Sequence, residues 1–499
     1  MRRPVIAIPI VSLCIAGILR AQCPDGTPPP CAGAAVPVRP APNSIAVLTF
    51  ENSSRDTAAQ YLAEGLADQI CTRLGDVARL TLISRTAVRR LRGPEQLSVQ
   101  QLGRTLNAAY LVSGSIRVAG GRVRVNVEAL RAATGEVLWS DAYDRAGDAL
   151  IGLEEVIATE VATGVAGRLS RQERRALGTR VTTNSRAYEQ FLRGNVLLAR
   201  RSPADLRGAI AAYQAATAAD PDFADAYGRL AYAFVVCWSW KCRNDGDSLL
   251  GLSREASTHA LQLNPRSSDA WMGRAAVLAV WPATRVESDD SLLASLPALR
   301  RAVELNPRND EAWHQYGTAL RFVSDSASFD ALRHALALDP TRAATYLILS
   351  SLNWVVGRSD RALATIDSAV ALDPDGPPRG YRAAYRLMAG DTAGAMADAR
   401  LTAAGWPSRG ILAVFAHDSA AVRAMEAWVA QSGCSETSAT YLLLSGRREQ
   451  AVQNLLACGP SLRTRWLLRW PAFAPLADDP RIQALRAETD RILARARWR

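Results

Sequence analysis

The sequence predicts an α+β protein with several domains, in which a small mixed-sheet α/β domain precedes an all-α solenoid. Three observations predict this fold class. Short apolar segments with strand-like alternation occur between residues 44 and 143. From about residue 184 the apolar spacing is helical almost throughout, and an Asx-Pro pair returns along the chain. Alanine and aromatic residues keep fixed distances from these prolines, which is typical of stacked helical hairpins.

The α/β domain is predicted over residues 44–170, with the element order β-α-β-α-β-β-β-α. The opening SIAVLTF has the apolar character of a buried strand, and residues 79–85 predict a second strand. A helix at 98–107 has a serine at its N-cap position. Residues 109–143 predict a three-stranded meander, and a last helix is expected at 149–169. Strict alternation in the middle strand places three valines on one face: Val123, Val125 and Val127.

The helical remainder contains an internal repeat. Five Asx-Pro pairs are each preceded by Leu or Ala, and their prolines are separated by 44, 42, 33 and 34 residues. The last two separations match a period of about 34 residues, and the first two match it if each repeat carries about ten inserted residues. Because proline is tolerated in the first turn of a helix, each pair marks the approach to the next hairpin. The prolines are Pro221, Pro265, Pro307, Pro340 and Pro374.

Two classes of packing residue keep phase with these prolines. We expect small residues to allow close approach of neighbouring helices, and aromatic rings to fill the space between hairpins. An aromatic residue follows four of the prolines by six positions: Tyr227, Trp271, Trp313 and Tyr346. An alanine precedes all five by five positions: Ala216, Ala260, Ala302, Ala335 and Ala369.

This pattern resembles the tetratricopeptide repeat (TPR). The resemblance covers residues 184–400, with degenerate TPR-like helices and a C-terminal cap over 401–499, and residues 341–374 are the cleanest copy. It implies a superhelix whose groove is lined by the first helix of each hairpin and binds proteins or peptides. The sequence leaves open whether residues 460–499 form a capping helix or a separate docking segment.

The first domain also resembles a known family. Across residues 44–169 the order of six segments is similar to that of the TolB amino-terminal-like (FlgO-like) domain: SIAVLTF, YLAEGLADQI, LISRTAV, LGRTLNAAYLVSGSIR, RVRVNVEAL and ATGEVLWSDAYDR. That domain commonly stands beside TPR arrays in bacterial proteins whose cytoplasmic half is an adenylate cyclase or a serine/threonine kinase. The resemblance implies an envelope location. Because no cyclase or kinase domain precedes these segments, it also implies the extracytoplasmic sensing or scaffolding half, produced alone.

The first 43 residues predict export. Two arginines precede a fifteen-residue apolar run, Val5–Leu19, and Ala21 stands before a polar stretch. That layout is typical of a signal peptide at 1–21, followed by a Pro-rich linker at 22–43. We expect a periplasmic protein. An uncleaved inner-membrane anchor is the alternative, and it is second to the signal peptide because a spanning helix needs about 20 apolar residues. A lipoprotein anchored at Cys23 is less favoured because glutamine precedes it.

Cysteine usage agrees with export. Six of the eight cysteines form local pairs, and short separations favour disulfides in an oxidising compartment. Zinc is the competing interpretation of the two closest pairs, but neither has a Cys-x-x-Cys spacing or a nearby histidine. Cys71 is predicted to be a small buried apolar residue of a helix. The three pairs are Cys23 with Cys31, Cys237 with Cys242, and Cys434 with Cys458.

Neither charge nor motifs predict catalysis or nucleic-acid binding. The formal charge is +11, but Lys241 is the only lysine and the arginines are spread along the chain, often beside Asp or Glu, which favours a solvated surface. Asp289 and Asp290 are interpreted as a solvated insertion and not as a cation site. No phosphate-binding, hydrolase or kinase motif occurs, so no catalytic residue, metal or cofactor is expected. The four histidines lack metal-ligand spacing: His259, His314, His334 and His417.

Recognition is therefore the expected activity, with other proteins or peptides as partners and at most a peripheral contact with a membrane. Three tryptophans border the insertions, where they either cap local hydrophobic clusters or anchor a partner: Trp238, Trp240 and Trp281. Four residues on the expected exposed faces of first helices are candidate contacts for an acidic ligand: Arg229, Arg274, Gln315 and Arg321. The sequence does not predict the oligomeric state.

Two functions are consistent with these features. The first is a non-enzymatic periplasmic or cell-envelope scaffold that binds proteins through a TPR groove. The alternative is a ligand-sensing regulatory subunit that acts on a separately encoded cyclase or kinase. The alternative predicts a small-molecule pocket within residues 44–169.

Overall fold

The structure is a computed structural model of the 499-residue chain. It describes residues 40–54, 59–75, 77–83, 85–89, 91, 96–146, 151–178, 182–200, 202–239, 242, 246–280, 288–340, 342–402, 407–431 and 434–496. The predicted signal peptide, nearly all of the predicted linker and the pair Cys23–Cys31 lie outside the described residues. Ala41–Arg499 forms one compact unit. Within the described residues, no helix combines the length and apolarity needed to cross a membrane.

Six strands form one mixed sheet. They are β1 (Ser44–Val47), β2 (Glu51–Asn52), β3 (Thr81–Leu82), β4 (Tyr110–Ala119), β5 (Arg122–Arg131) and β6 (Val137–Ala146). The order across the sheet is β3-β1-β4-β5-β6, and β2 also pairs with β4. β1 is parallel to both of its neighbours, whereas β4, β5 and β6 form the predicted antiparallel meander.

One predicted strand is shorter than the sequence indicates. Of residues 79–85, only β3 pairs with β1, which is itself four residues long. The N–H of Ile83 donates to the carbonyl of Ile45 at 2.8 Å and ends this ladder. The short strand β2 has no counterpart in the prediction, because two residues are too few to show a periodic pattern.

Helices cover both faces of the sheet: α1 (Ala59–Leu74), α2 (Arg85–Arg89), α3 (Val99–Leu106) and α4 (Leu153–Ala166). α3 begins at a capping box in which Ser98 Oγ accepts from the Gln101 N–H and the Gln101 side chain accepts from the Ser98 N–H. α1 and α4 bury Ile45 of β1 and the three valines of β5. Ala46, on the opposite face of β1, packs with residues of α3.

From Arg171 onward the described chain is helical. The helices are α5 (Arg171–Leu177), α6 (Ser185–Arg200), α7 (Pro203–Ala219), α8 (Ala224–Ser239), α9 (Gly246–Leu263), α10 (Ser268–Val280), α11 (Ser288–Leu305), α12 (Asp310–Leu320), α13 (Asp325–Leu338), α14 (Ala343–Val355), α15 (Ser359–Leu372), α16 (Pro377–Met388), α17 (Thr392–Leu401), α18 (Ser408–Phe415), α19 (Ser419–Gln431), α20 (Glu436–Leu444), α21 (Arg448–Leu456), α22 (Leu462–Leu468) and α23 (Pro480–Arg495), with a 3-10 turn at Pro471–Leu476. Successive helices pack as hairpins, from α6–α7 to α20–α21. This is the predicted helical solenoid.

The residues in phase with the prolines lie between these helices. All five alanines are buried: Ala216, Ala260, Ala302, Ala335 and Ala369. The aromatic rings contact second helices of the hairpins, so that the Trp313 ring lies 4.3 Å from the ring of His334 and the Tyr227 ring lies 4.6 Å from that of His259. Trp313 Nε1 also donates to the Pro307 carbonyl at 2.8 Å. Trp271 Nε1 makes the same bond to the Pro265 carbonyl, so these two tryptophans join the Asx-Pro turn to the hairpin that follows it.

The first two repeats are long partly because their helices are long. α9 and α11 have 18 residues each, whereas α13 and α15 have 14. The predicted insertions fall next to these helices, and residues 240–241, 243–245 and 281–287 lie outside the described residues.

The α/β region packs against the first hairpin of the solenoid, chiefly through α1 and α6. Arg73 of α1 lies 3.6 Å from Glu154 of α4, and both side chains are buried. Burial raises the pKa of Glu154, and the nearby Arg73 guanidinium and Tyr188 hydroxyl oppose that rise. Arg308, just before α12, donates to the Leu80 carbonyl at 3.2 Å. We refer to these contacts of Arg73, Glu154, Tyr188 and Arg308 as the amino-terminal seam.

Candidate partner-binding surfaces

Arg229, predicted as an exposed contact, instead joins two first helices of the solenoid. It lies on α8, and its Nε donates to Asp269 of α10 at 2.8 Å. Burial lowers the pKa of the Arg229 guanidinium, but the carboxylate of Asp269 more than reverses this effect and the pKa lies above its ordinary value. The close packing of α8 on α10 brings the acid of the next repeat against Arg229, which is therefore half-buried and paired, and its contact with an acidic ligand stays a prediction.

A second half-buried carboxylate lies beside this pair. Asp225, in the first turn of α8, accepts a hydrogen bond from Ser267 Oγ. Burial raises the pKa of Asp225, the charge of Asp269 raises it further, and the bond from Ser267 opposes both. Two acids and one arginine therefore share a site between α8 and α10.

Gln315 also lies in an internal network and not on a free surface. Its Nε2 donates to Glu311 Oε1 at 3.1 Å and to the Tyr232 hydroxyl at 3.2 Å. Arg342 donates to Glu311 and to Asp310, and its pKa is raised because these acids outweigh the effect of burial. Because α8, α12 and the start of α14 converge on Glu311, Gln315 is half-buried, and its contact with an acidic ligand stays a prediction.

Arg321 lies beside two aromatic rings, one from the next residue and one from the C-terminal end of the chain. Its guanidinium is 4.7 Å from the centre of the Phe322 ring and 5.7 Å from that of Trp466. Arg321 is half-buried, and its contact with an acidic ligand stays a prediction. Arg274 is partly exposed on α10, and Trp238 is partly buried against the core formed by α6 to α10.

Trp240 and Trp281 lie outside the described residues. For Trp238 alone, packing against the core formed by α6 to α10 favours the interpretation in which the side chain caps a local hydrophobic cluster.

The residues from Leu462 to Arg495, here called the C-terminal segment, pack across the solenoid. Both oxygens of Asp289, in the first turn of α11, accept from the Leu462 N–H at 3.0 Å. Arg469 donates to both oxygens of Asp325 at 3.0 and 2.5 Å. The interpretation of Asp289 as part of a solvated insertion is wrong, since this acid holds the amino-terminal end of α22.

Aromatic side chains complete the contact of the C-terminal segment. The ring of Trp466 lies 6.2 Å from Phe322, at the end of α12, and the ring of Trp470 lies 6.0 Å from Tyr385 of α16. Tyr385 in turn stacks on Trp354 of α14, with ring centres 4.6 Å apart. All five rings are buried. The segment therefore covers first helices of three consecutive hairpins.

An open cleft lies between α13 and α15, here called the α13–α15 cleft. Its volume is about 380 Å³. The ring of Phe329 lies between the guanidinium groups of Arg333 and Arg358, each 5.4 Å from the ring centre. Arg361 lines the same cleft, and Arg333 pairs with Asp330 at 3.1 Å. The sequence pattern did not single out these arginines, because they occupy ordinary helix-surface positions in two separate repeats.

A second cleft, here called the α5 cleft, lies at the edge of the α/β region and has a volume of about 740 Å³. Arg79 donates to Glu173 at 3.1 Å and to the Ala166 carbonyl at 2.7 Å. The hydrogen bond from Arg79 lowers the pKa of Glu173 to about 2. Three further arginines line the cleft: Arg168, Arg171 and Arg174.

Two of the predicted cysteine pairs are disulfides in the structure. Cys237 and Cys242 have Cα atoms 5.0 Å apart and join the end of α8 to the turn before α9. Cys434 and Cys458 have Cα atoms 4.7 Å apart and join the two ends of the α20–α21 hairpin. Cys71 is free and partly buried, and burial raises the pKa of its thiol to about 11. A thiol of that pKa is protonated near neutral pH and is a poor nucleophile.

Histidines and acids do not converge into a metal site in the described part of the chain. His314 is buried, and its Nδ1 lies 2.9 Å from the Thr345 hydroxyl. His259 and His334 pack against aromatic rings of the repeats. These three histidines thus have structural contacts.

Comparison with known proteins gives partial matches. A family model described as the second domain of HilA/YgeH-like transcriptional regulators matches residues 41–158. "Putative adenylate cyclase 3" of Rhizobium meliloti (strain 1021) is 27% identical over 233 residues, which are 46% of this chain and 40% of that protein. The chain therefore matches well under half the length of this curated relative.

Solved structures of TPR proteins are also similar. TTC0263, a thermophilic TPR protein of Thermus thermophilus, is 21% identical with a TM-score of 0.34, over 40% of this chain and 99% of that one. YrrB, a TPR protein with an unusual peptide-binding site, is 21% identical with a TM-score of 0.26, over 41% of this chain and 91% of that one.

Proposed function

We propose that this chain is a non-enzymatic scaffold of the bacterial cell envelope, which binds acidic segments of other proteins on its helical solenoid. The observation that best supports the proposal is the α13–α15 cleft. It is open to solvent, whereas first helices of the same hairpins are covered by the C-terminal segment. The concave groove of first helices is the usual peptide site of stacked hairpins, but the C-terminal segment covers it here, so the proposed site lies on the face formed by α13, α14 and α15.

The chemistry of the α13–α15 cleft suits an acidic peptide. Arg358 and Arg361 are exposed, and within the described chain neither is in an ion pair. A guanidinium group binds a carboxylate through two parallel hydrogen bonds, and the partly exposed side chains of Tyr346 and Leu349 offer an apolar surface beside them. Ligand pockets commonly have volumes of about 300–1,000 Å³, so the cleft is large enough for a few side chains.

The proposed location is the periplasm. The predicted signal peptide at 1–21 and the two disulfides support it, because disulfides form and persist in oxidising compartments. An inner-membrane anchor formed by an uncleaved amino-terminal segment is the alternative. We also propose that residues 44–170 are a TolB amino-terminal-like domain that accompanies the TPR array of residues 184–400.

Peptide binding by the full chain tests the main proposal. A labelled ten-residue peptide rich in Asp and Glu is titrated and compared with its Asn/Gln analogue by fluorescence anisotropy. We expect Arg358→Ala combined with Arg361→Ala to weaken binding at least tenfold, because two of the three guanidinium groups of the cleft are lost. The matched control is Arg300→Ala with Arg301→Ala, which removes the same charge from α11. Equal weakening by both double variants would contradict the proposal.

A ligand-sensing regulatory subunit is the second candidate function, and the α5 cleft favours it. Three arginines around one cleft at the edge of the α/β region suit a small anionic ligand. The likeness to a protein named as a putative adenylate cyclase supports a role beside such an enzyme. The melting temperature of the full chain is measured with and without each of a set of anionic metabolites, and the measurement is repeated on the double variant Arg171→Ala with Arg174→Ala. If no metabolite shifts the melting temperature, or if the double variant keeps the shift, the support for this function is removed.

A further inference from the structure

The C-terminal segment contacts the solenoid in the manner of a bound helix. Arg463, Trp466 and Trp470 are three and four positions apart, so they lie on one face of α22 and its first following turn. Each of them contacts the solenoid: Arg463 donates to the Ala279 carbonyl at 2.7 Å, and both tryptophans contact aromatic rings of first helices. This spacing of anchors is typical of an amphipathic helix in a groove.

The surface beneath the segment is complementary to it in charge. Asp289 lies at one end and Asp325 farther along, and they face Leu462 and Arg469 respectively. Burial lowers the pKa of Arg463, and the charge of Asp289 opposes that effect. Between the two acids the surface is aromatic, apart from the Arg321 guanidinium beside Phe322 and Trp466. The groove therefore consists of residues from α10 to α16, with acids toward its ends and rings at its centre: Asp289, Phe322, Asp325, Trp354 and Tyr385.

A solenoid does not require these contacts. In repeat proteins each hairpin is held by its neighbours, whereas Leu462 and Asp289 are 173 residues apart in sequence and Arg469 and Asp325 are 144 apart. The segment follows Gly459, whose φ of 64° lies in the left-handed region that glycine adopts readily, and then Pro460. The chain thus turns sharply out of the last hairpin before it enters the groove.

We propose that this groove is a second binding surface, which the C-terminal segment occupies as an internal ligand and which accepts a helix of a partner protein. The partner helix carries two arginines and two tryptophans at the spacing of Arg463, Trp466, Arg469 and Trp470. This ligand is basic and aromatic, so it differs in charge and in place from the acidic peptide of the α13–α15 cleft. The proposal therefore stands or falls separately from the proposed function.

Competition with the internal ligand limits access to the groove. A tethered segment acts at a high effective concentration, so a partner must displace it or bind when it is released. Weakening the segment's own contacts, without deleting it, should expose the groove in an otherwise intact chain.

A peptide of residues 459–471 tests the proposal directly. We expect it to bind the full chain carrying Trp466→Ala and Arg469→Ala at least tenfold more tightly than it binds the unchanged chain. Adding Asp325→Asn to that variant should weaken peptide binding at least fivefold, and a peptide carrying both alanines should bind at least tenfold more weakly. If the variant keeps its helical circular dichroism and binds the peptide no better than the unchanged chain, the proposal is overturned.

Hydrogen exchange of the unchanged chain provides a test that needs no variant. We expect amides of α22 to exchange at least tenfold faster than those of α12 and α14, because an internal ligand opens without unfolding its groove. Exchange of α22 at the same rate as these helices would show a permanent part of the core and overturn the proposal. Light scattering is the check for a dimer in which each chain places its C-terminal segment in the groove of the other. If such a dimer forms, the ligand of the groove is a second copy of this chain, and the proposal is again overturned.

Discussion

Two parts of the chain pack against the solenoid in different ways. At the amino-terminal seam, a buried ion pair between Arg73 and Glu154 and a bond from Arg308 to the Leu80 carbonyl lie beside apolar packing of α1 on α6. Across α10 to α16 the C-terminal segment packs with aromatic rings, here called the C-terminal closure, and its charged pairs lie at the margins. Buried charge contributes at the seam, whereas the C-terminal closure depends mainly on buried apolar area, so the two should respond differently to substitution, pH and salt.

Removing an aromatic ring from the C-terminal closure should have the largest effect. Trp470→Ala leaves a cavity beside the stacked Tyr385 and Trp354, and truncation of a buried tryptophan costs about 3–5 kcal/mol. Urea unfolding of the full chain measures the loss. Trp428→Ala is the control, because that side chain is 47% exposed, and it should change stability by less than about 1 kcal/mol. Similar losses for both variants would show that Trp470 is not part of a packed closure.

Removing one partner of the buried ion pair at the amino-terminal seam should lower the free energy of unfolding by about 3 kcal/mol. Arg73→Ala leaves the Glu154 carboxylate buried without its counter-charge. Glu154→Gln is the matched variant, because it removes the charge with little change in volume and should cost less than Arg73→Ala. If the two variants unfold at the same urea concentration, the charge of Glu154 does not contribute to the seam.

The two disulfides should contribute unequally. In the loop-entropy description, the bond across 24 residues at the C-terminal end stabilises by about 3 kcal/mol and the bond across 5 residues by about 2 kcal/mol. Cys434→Ser with Cys458→Ser should therefore lower the melting temperature more than Cys237→Ser with Cys242→Ser. Counting thiols before and after reduction confirms that each bond is present in the starting protein. The reverse order of melting temperatures would contradict the prediction.

The pH dependence of Asp225 gives the smallest effect and has an unusual sign. Its pKa is raised from 3.8 to about 6, so the folded state disfavours the charged form. The resulting penalty is absent below about pH 4, grows as pH rises to about 6, and is constant above that value. The difference between pKa values of 3.8 and about 6 corresponds to about 3 kcal/mol, and solvent screening at the partly exposed Asp225 reduces it. Asp225→Asn should consequently gain about 1–2 kcal/mol relative to the unchanged chain between pH 4 and pH 7. Asp290→Asn, at an exposed position, should show no such trend.

The hairpins could be predicted from the sequence because their contacts are local. The alanines and aromatic rings recur with the repeat, and the alternation around Val125 indicates the meander. Arg229, Gln315 and Arg321 could not be placed in the same way. Their partners come from other repeats or from the C-terminal segment, and which residues meet depends on the curvature of the whole solenoid.

The C-terminal closure shows the same limit. Trp466 and Trp470 lie in a segment without a repeat pattern, so no periodicity connects them with Phe322 or Tyr385. A helical segment rich in tryptophan and arginine after the last hairpin was the available signal. It indicates an amphipathic helix but does not identify the surface that this helix covers.

Hydrogen exchange of the full chain with and without the acidic peptide is the most direct test of the central claim, which is that the solenoid binds partners on its open arginine-rich face. The account predicts slower exchange in α13, α14 and α15 upon binding, and no change in α10 or α12. Slower exchange confined to α10 and α12, or none anywhere at saturating peptide, would contradict it.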